Sequence, residues 1–149
     1  MLAWPAADVP VVQLSLQTQL GPGHHFELGR ALAPLAREDV LILGSGGFTH
    51  DLSSWREHGG GPEPAWVTDF ADWLDAAIRE GRTRELLDYR RLAPHAARNH
   101  PTEEHLLPLF VALGAGGAGG AGRADAPATR LHSSNPYGVL RMDAYAFGG

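Results

Sequence analysis

The sequence predicts an α/β fold, and three segments near its start carry that prediction. Residues 9–16 (VPVVQLSL) are mostly apolar and rich in β-branched side chains, which is typical of a well buried strand. Residues 24–37 place apolar side chains at helical spacing, and the apolar run VLIL of residues 40–43 follows. Because a strand, a short helical crossover and a second strand form a βαβ unit, we expect the two strands to be parallel and adjacent.

The middle of the chain predicts three more helices. Residues 65–81 carry an aromatic and aliphatic stripe that is better explained as core than as a stacking platform, and Gly81 ends this helix. Residues 82–92 predict a short second helix. A third helix is expected within residues 100–116, with Thr102 as its N-cap and Pro108 tolerated near its start.

The last part of the chain combines a linker with a strand. Residues 114–128 (GAGGAGGAGRADAPA) have the composition of a flexible linker. Residues 137–149 alternate in the manner of a strand, which must add to an existing sheet. With no internal repeat and a length of 149 residues, we expect one domain over residues 1–149.

Composition excludes several function classes. The net charge is −5 and the longest basic cluster is Arg90-Arg91, so we expect no nucleic-acid binding. The chain has no cysteine, which removes disulfides, thiolate metal sites and a cysteine nucleophile. The first residues lack the pattern of a signal peptide, and no apolar run approaches 18 residues. These observations favour a cytoplasmic protein that does not span a membrane.

The stretch GSGGFTHDL of residues 44–52 places a histidine at the end of a predicted strand. Its glycines match neither a P-loop nor a dinucleotide-binding fingerprint, so nucleotide binding is not indicated. His50 lies where open α/β sheets bind ligands, and imidazole suits Fe(II), Zn(II) or proton transfer. The alternative is a surface-loop histidine that is bonded to Asp51 or to nothing, and spacing alone favours that alternative.

Other histidine motifs are weaker. In HPTEEH, His100 and His105 are five positions apart, which is not the spacing of an H-E-x-x-H zinc site. His105 is explained equally well as a polar residue in the first turn of a helix, and His24 and His25 as helix-start residues. Ser45 does not lie in a G-x-S-x-G elbow, so a hydrolase nucleophile is not indicated.

Five stretches in order resemble one family: DVPVVQLSL, HHFELGRAL, VLILGSGGFTHDL, HPTEEHLLPLFVALGAG and RMDAYAFG. Together they resemble the C-terminal half of the DOPA-dioxygenase-like branch of class III extradiol ring-cleaving dioxygenases, the LigB superfamily. The resemblance covers nearly all of the chain except the glycine-rich linker. It implies an α/β fold with a central mixed sheet and helices on both faces, incomplete relative to the full-length fold. It also implies ring opening of a catechol-type substrate by O₂ at a non-haem metal, Fe(II) or Zn(II).

The resemblance assigns roles to two histidines. It implies that His50 is a metal ligand and that His105 is the catalytic acid/base residue beside the substrate. We therefore expect both side chains to face one cleft, with His24, His58 and His132 elsewhere and dispensable. Asp51 stands where the family often has Asn.

The family's usual chain is nearly twice this length, and its N-terminal half supplies further metal histidines that have no counterpart here. We therefore expect a truncated or split form, either a homo-oligomer or a complex with a complementary N-terminal-half subunit. Whether this chain is an enzyme by itself is left open by the sequence. The alternative is a catalytically inactive remnant that acts as an interaction module.

Overall fold

The structure, a computed structural model, describes residues 4–58, 60–116 and 128–148. Within these residues the chain forms seven α-helices, two short 3₁₀ helices and two strands. The α-helices are α1 (Gly21–Leu32), α2 (Leu52–His58), α3 (Ala65–Arg79), α4 (Thr83–Leu87), α5 (Tyr89–Leu92), α6 (Ala96–Asn99) and α7 (Leu107–Gly116). The 3₁₀ helices are Thr18–Leu20 and Ala33–Glu38, and the strands are β1 (Thr129–His132) and β2 (Ala144–Ala146).

Helices α1 and α7 cross at very short distance because each has a glycine at the crossing. A Cβ at Gly29 of α1 would clash with the carbonyl oxygen of Val111, and a Cβ at Gly114 of α7 with that of Phe26. Only a residue without a side chain allows backbones to approach this closely. The crossing fixes α7, and with it the turn that precedes α7, against the start of the chain.

The core is centred on α3, which buries the stripe predicted from its sequence. Phe70 and Leu74 are fully buried and pack with Tyr89 of α5 and Phe110 of α7. Trp66 and Val67 pack with Val139 in a second, smaller cluster. The prediction of a helix near residues 65–81, with its apolar stripe in the core, is confirmed, and the short helix predicted over 82–92 divides into α4 and α5.

The two predicted N-terminal strands do not form a βαβ unit in the described part of the chain. Residues 9–16 and 40–43 pair with no strand there, although the helix between them forms as α1 and the following 3₁₀ helix. Val12 is 93% exposed and Leu43 75% exposed, so the expected burial is also wrong for them. An apolar pattern reports a preference for burial, whereas a strand also needs a neighbouring backbone to bond.

The third predicted helix begins later than expected. α7 starts at Leu107, so His105 lies in the turn before it rather than in its first turn. The Thr102 hydroxyl donates to the Glu104 carboxylate and does not cap α7. Pro108 explains the shift, since proline lacks an N–H and is accepted only in the first turn of a helix.

The end of the chain forms a small antiparallel sheet. β1 pairs with β2 in the register Thr129↔Ala146 and Arg130↔Tyr145. The strand predicted over residues 137–149 is therefore reduced to Ala144–Ala146. Residues 114–116, predicted as the start of a linker, instead complete α7, and residues 117–127 of that linker lie outside the described residues. No helix in the described ranges is long and apolar enough to cross a membrane.

Candidate functional site

The turn that carries His50 is bonded to the segment that ends in His105. The backbone N–H of Gly47 donates to the carbonyl oxygen of His105 at 2.9 Å, and that of His50 donates to the carbonyl oxygen of Asn99 at 2.8 Å. A Cβ at Gly46 would clash with the His105 carbonyl oxygen, so glycine is needed there for close approach. The glycine turn therefore brings two distant stretches of sequence into contact.

The same turn is bonded on another side to the C-terminal segment. The N–H of Phe48 donates to the carbonyl oxygen of Arg141 at 3.1 Å. The hydroxyl of Thr49 donates to the carbonyl oxygen of Val139 at 2.8 Å and accepts the N–H of Arg141 at 2.8 Å. Thr49 is only 1% exposed, so these bonds are made in a buried place.

His100 supports the turn from within the core. It is fully buried, and its Nε2 lies 3.0 Å from the carbonyl oxygen of Phe48. Because a carbonyl can only accept, Nε2 carries the proton, and the buried Nδ1 has no hydrogen-bond partner among the described residues. Burial, aided by the nearby His50 and His105, lowers the pKa of His100 to about 4, against the opposing effect of the bond to Phe48. His100 is therefore neutral at physiological pH.

The rings of His50 and His105 stack face to face. Their centroids lie 3.4 Å apart with an interplanar angle of 18°, although 55 positions separate the residues in the chain. This geometry places the two side chains in contact, and their position in one cleft beside a small ligand stays a prediction. The His105 side chain is 41% exposed, and its Nε2 lies 3.9 Å from the Glu104 carboxylate.

The electrostatics of the pair favour a neutral His50. Burial lowers the pKa of His50, and His105 lowers it further, while Glu104 and a backbone hydrogen bond oppose the shift. Two imidazolium ions in face contact would repel each other, so protonation of both rings is disfavoured. The pair thus places a neutral His50 imidazole against the ring of His105.

Asp51 caps the helix that follows the turn. Its carboxylate accepts the backbone N–H of Ser53 at 3.0 Å and that of Ser54 at 3.2 Å, and both serine hydroxyls also donate to it. Burial of Asp51 would raise its pKa, but these bonds outweigh burial and lower it. The aspartate therefore orients the loop as the N-cap of α2, and its carboxylate is engaged with serines rather than with the His50 ring.

The side chains present do not by themselves fit a catalytic metal site. Among residues 4–58, 60–116 and 128–148, no group of three or more His, Asp or Glu is arranged to hold a metal ion, whereas an O₂-activating site needs about three protein ligands. Two imidazoles that are neighbouring ligands of one tetrahedral ion have ring centres about 5 Å apart. The 3.4 Å stack is shorter than that, so the pair is not a two-ligand site as it stands.

The remaining histidines lie on other elements. His24 is exposed on α1, and His132 is exposed on β1, where it bonds to Ser134. His25 is buried in α1, where its Nδ1 donates to the carbonyl oxygen of Gly21 at 2.6 Å. The side chain of His58 lies outside the described part of the molecule. His25 is thus a structural histidine of its helix, as its position near the helix start suggested.

Two residues of the site were not singled out from the sequence. His100 opens the HPTEEH motif, but its spacing to His105 fits no metal motif, so nothing in the sequence distinguished it. Thr49 directly precedes His50 in the glycine turn. Its double hydrogen bond depends on contacts with residues 90 and 92 positions away, which no local pattern reports.

Comparison with known proteins agrees with the predicted family. The family described as the catalytic LigB subunit of aromatic ring-opening dioxygenase matches residues 1–139. A 4,5-DOPA dioxygenase extradiol from Beta vulgaris is 40% identical over 147 residues, which is 99% of this chain and 52% of that protein. The protein of the same name from Escherichia coli K12 is 36% identical over 115 residues, 75% of this chain and 42% of that protein.

A solved structure supports the fold. The crystal structure of an uncharacterized protein from Escherichia coli K12 matches with a TM-score of 0.83 and 32% identity, over 97% of this chain and 58% of that one. The predicted class, an α/β fold incomplete relative to the full-length family, is therefore confirmed. The chain spans about half the length of the curated relatives it matches. From the family match and these identities, the chain belongs to the LigB family, in its DOPA-dioxygenase-like branch of class III extradiol ring-cleaving dioxygenases.

Proposed function

We propose that this chain provides part of the site of an extradiol aromatic ring-opening dioxygenase. The observation that carries the proposal is the face-to-face stack of His50 and His105 at 3.4 Å, in a chain of the LigB family. The substrates are a catechol-type molecule and O₂, and the metal is Fe(II) or Zn(II). The relatives named 4,5-DOPA dioxygenase extradiol support this class of substrate.

In this proposal His50 is the metal ligand. Its backbone is held by the bond to Asn99, and its lowered pKa favours the neutral imidazole, the form that binds metals. When bound, the metal would supply a positive charge that polarises the catechol oxygens. Further ligands would come from polypeptide beyond the described residues, since no group of three or more His, Asp or Glu there could hold a metal ion.

His105 is then the acid/base residue. Its side chain is 41% exposed, so it can reach a bound molecule while its ring rests on His50. It would accept a proton from a catechol hydroxyl at a ring nitrogen, and the Glu104 carboxylate lies 3.9 Å from its Nε2. Contact between the rings keeps the proton acceptor next to the metal ligand without requiring both to bind the ion.

The functional form in this proposal is an assembly in the cytoplasm. Exposed apolar side chains on residues 9–16 and 40–43 offer a surface for association, and they include Val11, Val12, Leu41 and Leu43. Either a second copy or a complementary polypeptide equivalent to the other half of the relatives would cover it. Only the complementary polypeptide would also bring the family's remaining histidines.

The alternative function is that of a catalytically inactive interaction module. The observation in its favour is that the described residues lack a complete metal site. In that case the exposed apolar segments would be the functional surface, and the histidine stack would serve only to hold the glycine turn.

A mixing experiment tests the proposal. The chain is combined with the part of the Beta vulgaris relative that it does not span, loaded with Fe(II) and supplied with DOPA and O₂. We expect ring-opened product, loss of metal binding in His50→Ala, and metal retention with loss of turnover in His105→Ala. His24→Ala, on the exposed face of α1, is the matched control and should behave as the unchanged chain.

Two results would change the assignment. Loss of metal in His105→Ala with retention in His50→Ala would exchange the two roles. If the mixture forms a complex but binds no metal and opens no ring, the interaction module is the better explanation.

A further inference from the structure

Thr49 has no role in the chemistry proposed above. Its side chain is buried and its hydroxyl makes two bonds, both to the backbone of residues 139–141. Its neighbour His50 carries one ring of the stacked pair. The hydroxyl therefore joins the turn that holds His50 to a segment about 90 positions away.

The segment on the other side of that link is firmly anchored. Val139 is fully buried and packs against Trp66 and Val67 of α3. The position of the Thr49 hydroxyl is thus set by the main core helix through Val139. A displacement of residues 139–141 would therefore also displace the turn that holds His50.

A partly buried ion cluster holds the same segment. The Arg141 guanidinium lies 3.1 Å from the Glu63 carboxylate and 2.9 Å from that of Asp143, and it donates to the Ser133 hydroxyl at 3.1 Å. The side chains of Arg141 and Asp143 are 15% and 0% exposed, so water screens these charges weakly. Arg141 also uses its backbone N–H on Thr49 and its carbonyl oxygen on Phe48.

We propose that Thr49 is a positioning residue for His50, and that its hydroxyl, held by the Arg141 cluster, sets the His50 ring against His105. A role of Thr49 in catalysis rests on the proposed function. The structural content of the proposal, the dependence of the histidine stack on one hydroxyl, is a property of this chain alone.

The chemistry of the link makes its loss costly. Thr49→Val keeps the shape of the side chain but leaves the carbonyl oxygen of Val139 and the N–H of Arg141 without their partner in a buried place. These groups would turn toward water or each other, and residues 139–141 would separate from the turn. Thr49→Ser keeps the hydroxyl and should keep both bonds.

The test uses the full chain with isotope-labelled histidine and follows nuclear Overhauser contacts between the His50 and His105 rings. We expect these contacts in the unchanged chain and in Thr49→Ser, and their loss in Thr49→Val. Thr83→Val is the matched control, because its hydroxyl makes only a long 3.5 Å bond to the Gly81 carbonyl oxygen at an exposed site. Arg141→Gln, which weakens the side-chain cluster but keeps the backbone N–H that donates to Thr49, should reduce the ring contacts several-fold.

The positioning role of Thr49 and the proposed function can fail independently of each other. Ring contacts that persist in folded Thr49→Val would overturn the positioning role, whether or not the chain takes part in ring opening. If Thr49→Val does not fold, Arg141→Gln decides: reduced contacts, with Thr49→Ser unchanged, support the role, and unchanged contacts overturn it. A failure of metal binding or turnover in the mixing experiment leaves the ring contacts in place and counts against the proposed function only.

Discussion

The turn around His50 and the segments 9–16 and 40–43 differ in how their polar and apolar groups are satisfied. Residues 47–50 bond to three separate parts of the chain, through Asn99, His105 and Arg141. The two apolar segments pair with no strand in the described residues and expose their side chains. The turn around His50 therefore finds its hydrogen-bond partners within the described residues, whereas the two apolar segments find no strand partner there.

The comparison shows that the turn that holds His50 can form while residues 9–16 and 40–43 remain unpaired in the described part of the chain. The His50–His105 stack is set by turns, a helix crossing and the C-terminal segment, none of which needs the apolar segments to be paired. A chain spanning about half the length of the curated relatives it matches thus holds His50 and His105 in contact, although its described residues pair only β1 with β2.

The largest expected effect comes from the helix crossing that supports the site region. Gly29→Ala should destabilise the chain by about 3 kcal/mol or more, because the new methyl group meets backbone atoms of α7 that cannot move aside cheaply. Gly23→Ala in the same helix is the control, since nothing lies within 4 Å of a Cβ there. Urea unfolding of both variants measures the difference. Equal stability of the two variants would mean that α1 and α7 are not in close contact.

An intermediate effect is expected from His100 as the pH changes. Its folded pKa of about 4 lies below its ordinary value of 6.5, so the unfolded chain takes up a proton that the folded chain does not. The stabilisation by neutral His100 is fully present above pH 6.5 and is lost as the pH falls toward 4, by about 2 kcal/mol between pH 7 and pH 5.

The matched variant for this prediction is His100→Gln, whose amide can donate to the Phe48 carbonyl oxygen but does not titrate in this range. Unfolding free energies at pH 7 and pH 5 should differ less in the variant than in the unchanged chain. A drop of the same size in both would assign the pH dependence to other groups.

The smallest effect is expected in the apolar segments. Val12→Ala should change the free energy of unfolding by less than about 0.5 kcal/mol, because Val12 is 93% exposed. Val67→Ala, the same change at a fully buried position, should cost about 2 kcal/mol. Denaturant unfolding of the isolated chain compares them. A large cost at Val12 would show that this segment is already covered in solution, for example by a second copy.

The sequence predicts structure that depends on residues near one another in the chain, and it does not predict strand pairing between distant segments. The apolar stripe of α3 determines its helix and its buried face, because both depend on residues within four positions of each other. The late start of α7 follows from Pro108, but the competing N-cap pattern at Thr102 concealed it. Pairing of residues 9–16 and 40–43 could not be predicted, since it depends on neighbours rather than on the segments themselves.

The site shows a comparable limit. The family motifs led to His50 and His105, and the structure brings those two together. The contributions of His100 and Thr49 arise from contacts across 52 and about 90 positions, and their residue types are common at buried polar sites. No spacing rule identifies them, because each acts on the backbone of a segment that only the fold brings near.

We propose that His50 binds a metal ion, that His105 is its stacked partner, and that the described residues do not form a complete metal site. X-ray absorption at the zinc edge, on the isolated chain with one equivalent of Zn(II), tests it most directly by counting protein nitrogen ligands. We expect a single imidazole with solvent oxygens completing the coordination, and loss of that imidazole in His50→Ala. Three or more protein ligands on a tightly bound ion in the isolated chain would contradict it.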